Sequence, residues 1–160
     1  MKRKYLRFVL VFGLTIFSCV ACVSSEFSRH YKAGASAANS GDFSTAITEL
    51  ETALKIDPNS SSLAWHKLAY CYSSVGRHMD AWVAIRKAVL LNTISTERKN
   101  AFYGSWRGMK QNITLGMSTL DINKHLGEPD MKATGANTET WLYALVALEF
   151  KNGKLTEIKE

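Results

Sequence analysis

Four histidines, three cysteines and fourteen acidic residues are the raw material for any chemistry in this 160-residue chain. The histidines are His30, His66, His78 and His125, and no His-Glu-x-x-His spacing joins them into a metal site. Asp121 has the position of a helix cap and Glu128 that of a loop residue. Glu149 and Glu157 fall on strand-like segments, where a solvated sheet face accounts for them. Gly104, Gly108 and Gly116 are too far apart to cradle a phosphate, and no Gly-x-Ser-x-Gly elbow presents a nucleophile. Cys71 stands between Tyr70 and Tyr72 in a helical pattern, which suits a packed core thiol better than a reactive one. The sequence therefore predicts no catalytic residue, no metal ligand and no cofactor. A binding protein is the expected class, not an enzyme.

The remaining cysteines belong to a different kind of signal. Lys2, Arg3, Lys4 and Arg7 precede an apolar run, Phe8 to Val23, that is shorter than the roughly 20 residues of a membrane-spanning helix. This is the pattern of a secretory signal. Ile16-Phe17-Ser18-Cys19 and Cys19-Val20-Ala21-Cys22 both resemble the lipobox of bacterial lipoproteins. Val20-Ala21 fits that motif better, so Cys22 is the favoured lipidation site and Cys19 the alternative. An ordinary signal peptide or an uncleaved anchor are the other readings. The resemblance implies a lipid-anchored protein in the bacterial envelope, facing the periplasm, and Val23 after the cysteine points to the outer membrane. Residues 1–21 hold four of the 20 basic residues and none of the 14 acidic ones, so without them the net charge falls from +6 to about +2. No basic cluster interleaved with aromatics survives, and nucleic acid is excluded as a partner.

Self-similarity organises the next segment. Gly41, Phe43, Ala46, Leu50, Ala53 and Leu54 are answered 35 residues later by Gly76, His78, Ala81, Ile85, Ala88 and Val89. Small residues at helical spacing, with a glycine between the helices, describe two helical hairpins. Ala46, Ile47, Leu50, Ala53 and Leu54 form one apolar stripe, Pro58 ends its helix, and Asn59 to Ser62 offer caps for the next. Ser95-Thr96 starts a further helix in which Phe102 and Trp106 would cover the end. These residues, with Trp65, Leu68, Ala69 and Tyr72, resemble the tetratricopeptide repeat family over about 27–95. The resemblance implies two repeats plus a capping helix over 30–108, after a tether at 22–29. Two repeats fall short of the three usually needed for stability. That shortfall predicts a capping helix, docking on the following domain, or self-association. The resemblance further implies a groove lined by first-helix residues Tyr31, Asn39, Leu63, His66, Tyr70 and Ser74. A peptide or helix of a partner protein in that groove is one expectation, and closure of the face by the neighbouring domain is the other.

After Gly108 the period changes. Ser118 to Asp121 reads as a helix cap, with Met117 and Ile122 placed for a hydrophobic staple, and Gly127 followed by Pro129 ends the helix. Trp141, Tyr143 and Leu145, then Val146, Leu148 and Phe150, alternate as strands do. Asn152-Gly153 marks a hairpin. Leu155 and Ile158 differ in parity, so the last strand must bulge or expose one of them. Gly116-Met117-Ser118, Leu126-Gly127-Glu128-Pro129 and Trp141-Leu142-Tyr143 resemble the BamE/SmpA-like family, which implies a small helix-plus-antiparallel-sheet module over 109–160. The expected fold class is therefore α+β. The expected function is that of a periplasmic interaction scaffold in envelope biogenesis. The alternative is an inhibitor or regulator of an envelope enzyme, with Trp141 and Tyr143 as contact candidates on the sheet and core packing as the other, favoured reading of that pair.

Overall fold

The two glycines of the repeat occupy matching turns: φ is +80° at Gly41 and +78° at Gly76, a left-handed conformation that closes each helical hairpin. A computed structural model describes residues 24–160, and the signal-like segment with Cys19 and Cys22 lies outside them. The described residues are α+β, with six helices followed by a four-stranded antiparallel sheet. It divides into two compact units at Ser60/Ser61.

The first unit is a helical hairpin of α1 (24–39) and α2 (Phe43–Ile56). Asp42 caps α2 by accepting the Thr45 amide at 3.1 Å. The stripe Ala46, Ile47, Leu50, Ala53 and Leu54 is buried as its spacing predicts. Gly34 on α1 explains how closely the helices approach, since a Cβ there would lie 2.8 Å from Cγ of Leu50. A second tie is the 2.6 Å contact between His30 Nδ1 and Glu49 Oε2.

The second unit contains α3 (Ser62–Ser74), α4 (His78–Leu91), α5 (Thr96–Lys110), α6 (Thr119–Leu126) and the sheet. Ser61, Ser95 and Ser118 each cap the following helix by accepting a backbone amide three residues on. The strands β1 (Met131–Thr134), β2 (Thr138–Tyr143), β3 (Val146–Lys151) and β4 (Lys154–Lys159) form a meander in sequence order. Asn152 and Gly153, with φ of +52° and +72°, make the expected tight turn. The parity conflict in β4 is resolved by a bulge. Glu149 pairs with Glu157 and Phe150 with Leu155, which leaves Thr156 as the extra residue. Leu155 and Ile158 thereby reach the same face. Residues 116–119 run alongside β4, exchanging backbone hydrogen bonds with Leu155 and Gly153.

Trp82 on α4 sits at the centre of this unit. Its ring centroid is 5.2 Å from that of Phe102, 6.0 Å from Trp106 and 6.3 Å from Tyr143, so one indole joins α4, α5 and the sheet. Its Nε1 donates to the Leu126 carbonyl at 3.1 Å. The change from helical to strand pattern near Gly108 is thus not a boundary between compact units, because the second hairpin and the sheet bury the same residues.

Candidate functional site

Three helices of the second unit enclose a cavity of about 670 Å³. One wall is the α3 stripe His66, Ala69, Tyr70 and Ser73, where a spacing of three and four residues keeps all four on one face. The other is an α5 stripe of small residues, Ala101, Gly104, Ser105 and Gly108. A Cβ added at Gly104 or Gly108 would meet nothing within 4 Å, so the space beside them is open. Tyr70 is 58% exposed and presents a large amphipathic ring to solvent.

The cavity lining is mainly apolar, interrupted by neutral polar groups such as Ser73, Ser105 and Asn112, and carries no strong fixed charge. His66 Nδ1 is 3.7 Å from Glu97 Oε1 at one edge. Burial pushes the His66 pKa down, and Glu97 partly restores it. His78 also lines the cavity. Among the described residues, no group of three or more histidines, cysteines or carboxylates is placed to hold a metal ion. What the arrangement offers is shape, an aromatic ring and neutral hydrogen-bonding groups. This is recognition chemistry.

Of the six groove residues expected from sequence, the structure brings His66 and Tyr70 into the cavity. Ser74 is not part of the lining, its hydroxyl donating to the Tyr70 carbonyl at 3.0 Å, whereas Ser73, another inward-facing first-helix position, is. Leu63 lies at the start of α3 and does not line the cavity. Tyr31 and Asn39 belong to the first unit. Tyr31 is half-buried there and stacks on Phe27 with centroids 6.0 Å apart, while Asn39 is exposed at the end of α1. The α5 wall was not anticipated. Its signal was present in two glycines of a helical stretch that form no turn, Gly104 inside α5 and Gly108 in its last turn.

Trp141 and Tyr143, the contact candidates on the sheet, require a correction: they are core residues, 4% and 0% exposed. Both point to the face that carries Leu148, Phe150 and Leu155. Trp141 packs on Phe150 at 4.8 Å, and the Tyr143 hydroxyl donates to the Gly127 carbonyl at 2.9 Å. Burial holds the Tyr143 pKa far above the normal tyrosine range. Neither side chain is available as an interface anchor.

A buried ion pair at the heart of the second unit also escaped the sequence reading. Arg86, 4% exposed on α4, forks onto Asp130 through Nε at 3.0 Å and Nη2 at 2.9 Å. Its Nη2 donates to the Glu128 carbonyl at 2.8 Å, and the guanidinium lies over the Tyr143 ring at 4.9 Å. Asp130 Oδ2 also accepts the Ala144 amide at 2.9 Å. Ala144 has φ of +52° in the two-residue turn between β2 and β3, so the carboxylate pins a strained turn. An arginine one helical turn after Trp82 was the only hint in the sequence.

Residues 49–83 match a family model described as tetratricopeptide repeat. The matched stretch takes in the second half of α2, all of α3 and the beginning of α4. No curated protein matches the chain. Tetratricopeptide repeats are protein-interaction modules and typically non-catalytic, and the match supports a general role in protein–protein interaction.

Proposed function

We propose that this protein is a lipid-anchored scaffold of the bacterial envelope, tethered through Cys22 and holding a peptide or helix of a partner protein against α3 and α5. The observation that carries the reading is the open cavity beside Tyr70, with the small-residue wall of α5 opposite. Glycine costs about 1 kcal/mol relative to alanine inside a helix, as at Gly104, and less in the last turn, where Gly108 lies, and no contact within 4 Å calls for a glycine at either. Close approach by an outside chain gives them a reason. The lipobox-like residues before Cys22 support export and acylation, and the likeness of 109–160 to BamE/SmpA-like modules supports a role in outer-membrane biogenesis.

Two substitutions test the two halves of this reading. Gly108→Leu fills the cavity with a side chain and is expected to abolish capture of the partner while thermal unfolding stays cooperative. Undiminished capture contradicts the groove. Cys22→Ser is expected to release the protein into soluble envelope fractions, and retention in the membrane by both this variant and Cys19→Ser contradicts the anchor.

A further inference from the structure

At the end of the second helical hairpin a large apolar side chain is held out into solvent by a well-made turn. Ile94 is 87% exposed, more than any other large apolar residue described. It is not on a loose loop. Asn92 Oδ1 accepts the Ile94 amide at 3.2 Å and the Ser95 amide at 3.3 Å, and Ser95 then caps α5. A turn exposed in this way normally carries a polar residue at no cost to the fold. Leu90 and Leu91 in the last turn of α4 are 45% and 38% exposed, and Leu63 in the first turn of α3 is 39% exposed. Because α3 and α4 form an antiparallel hairpin closed at Gly76, all four residues lie at its same end.

The charges nearest in the chain are mostly positive. Lys87, Arg98 and Lys99 flank the apolar tip in the chain, Arg98 and Lys99 partly buried, against Glu97, whose side chain is 74% exposed and stands 3.7 Å from His66. An apolar tip with an excess of lysine and arginine beside it in the chain has the chemistry that suits an anionic membrane surface, where apolar side chains enter the interface and cations meet the phosphates. We infer that the tip formed by Leu63, Leu90, Leu91 and Ile94 rests in the anionic lipid surface. This inference builds on the anchored reading, in which an acyl chain on Cys22 stands two residues before the helix that begins the described structure. Such a tether keeps the local lipid concentration high, so a tip of weak intrinsic affinity would stay engaged.

The test uses the full chain, purified from membranes and reconstituted into phosphatidylglycerol–phosphatidylethanolamine vesicles whose acyl chains carry bromine, a contact quencher of tryptophan. Ile94→Trp and a control, Lys124→Trp on the exposed side of α6, are compared with the unsubstituted protein, and the mass of each preparation reports acylation. The expected result is about twofold quenching of the new fluorophore at position 94, with little at 124. A vesicle-bound, acylated chain with no quenching at 94 overturns the inference and leaves the anchored reading standing. Quenching at 94 in a chain of unacylated mass supports the inference and overturns the anchor. A chain that does not stay with the vesicles overturns both.

Discussion

Asp130 holds two partners at once, so its loss should be felt in two places. Asp130→Ala leaves the Arg86 guanidinium buried without its counter-charge and the Ala144 amide without its acceptor. Breaking a buried pair from one side costs about 3–5 kcal/mol, whereas removing both charges is far milder. Urea unfolding should therefore show Asp130→Ala well below the double variant Arg86→Met/Asp130→Ala. Equal losses would mean that the pair contributes little. His66 makes a prediction of opposite character, because burial holds its folded pKa below the unfolded value of about 6.5. The folded state then binds its proton less readily than the unfolded chain. The contribution of His66 to stability is present above that unfolded value and lost as the pH falls through the folded one. His66→Gln should flatten this part of the stability–pH curve, and an unchanged curve would contradict it. The sequence hid both features for one reason. An arginine or histidine at helical spacing reads as surface until the partner that buries it is known.

At the scale of elements, one substitution should act with opposite signs at two glycines. Gly34→Ala puts a Cβ 2.8 Å from the Leu50 side chain and 3.1 Å from the Leu50 amide, which forces α1 and α2 apart and costs about 1–3 kcal/mol. Gly104→Ala meets nothing within 4 Å and should stabilise α5 by about 0.5–1 kcal/mol. Thermal unfolding of the two variants decides this, and a destabilising Gly104→Ala would show that the α5 wall is packed rather than open. Much at this scale could be read beforehand. The turn glycines 41 and 76 and the Asn152-Gly153 turn follow from local backbone rules, and the parity of Leu155 and Ile158 left a bulge in β4 as one of two outcomes. Strand β1 could not be read, because Met-Lys-Ala-Thr at an exposed edge has neither alternation nor a buried face. Nor could the turn at Ala144-Leu145, which lacks the usual glycine or asparagine. Asp130, distant in sequence, supplies the stabilisation instead.

For the molecule as a whole, the division at Ser60/Ser61 changes how its function must be dissected. Deleting 27–95 to remove the repeats would also take Trp82 and Arg86 out of the core that contains Tyr143 and Leu126. Loss of partner capture after such a deletion would not separate repeat from sheet. Point substitutions that leave the core intact are the usable tools. The sequence pattern could not reveal this, because periodicity shows where an element begins and ends but not which elements share a core. The repeat period pointed to first-helix residues as a groove, and two of them, His66 and Tyr70, line the cavity. The account's central claim is that a protein partner lies between α3 and α5. The most direct measurement is photocrosslinking in intact cells from Tyr70, Ser105 and Lys124, each replaced singly by a photoreactive residue. The account predicts that positions 70 and 105 capture the same protein and position 124 does not. Capture of unrelated proteins at 70 and 105, or the same capture from all three positions, would contradict it.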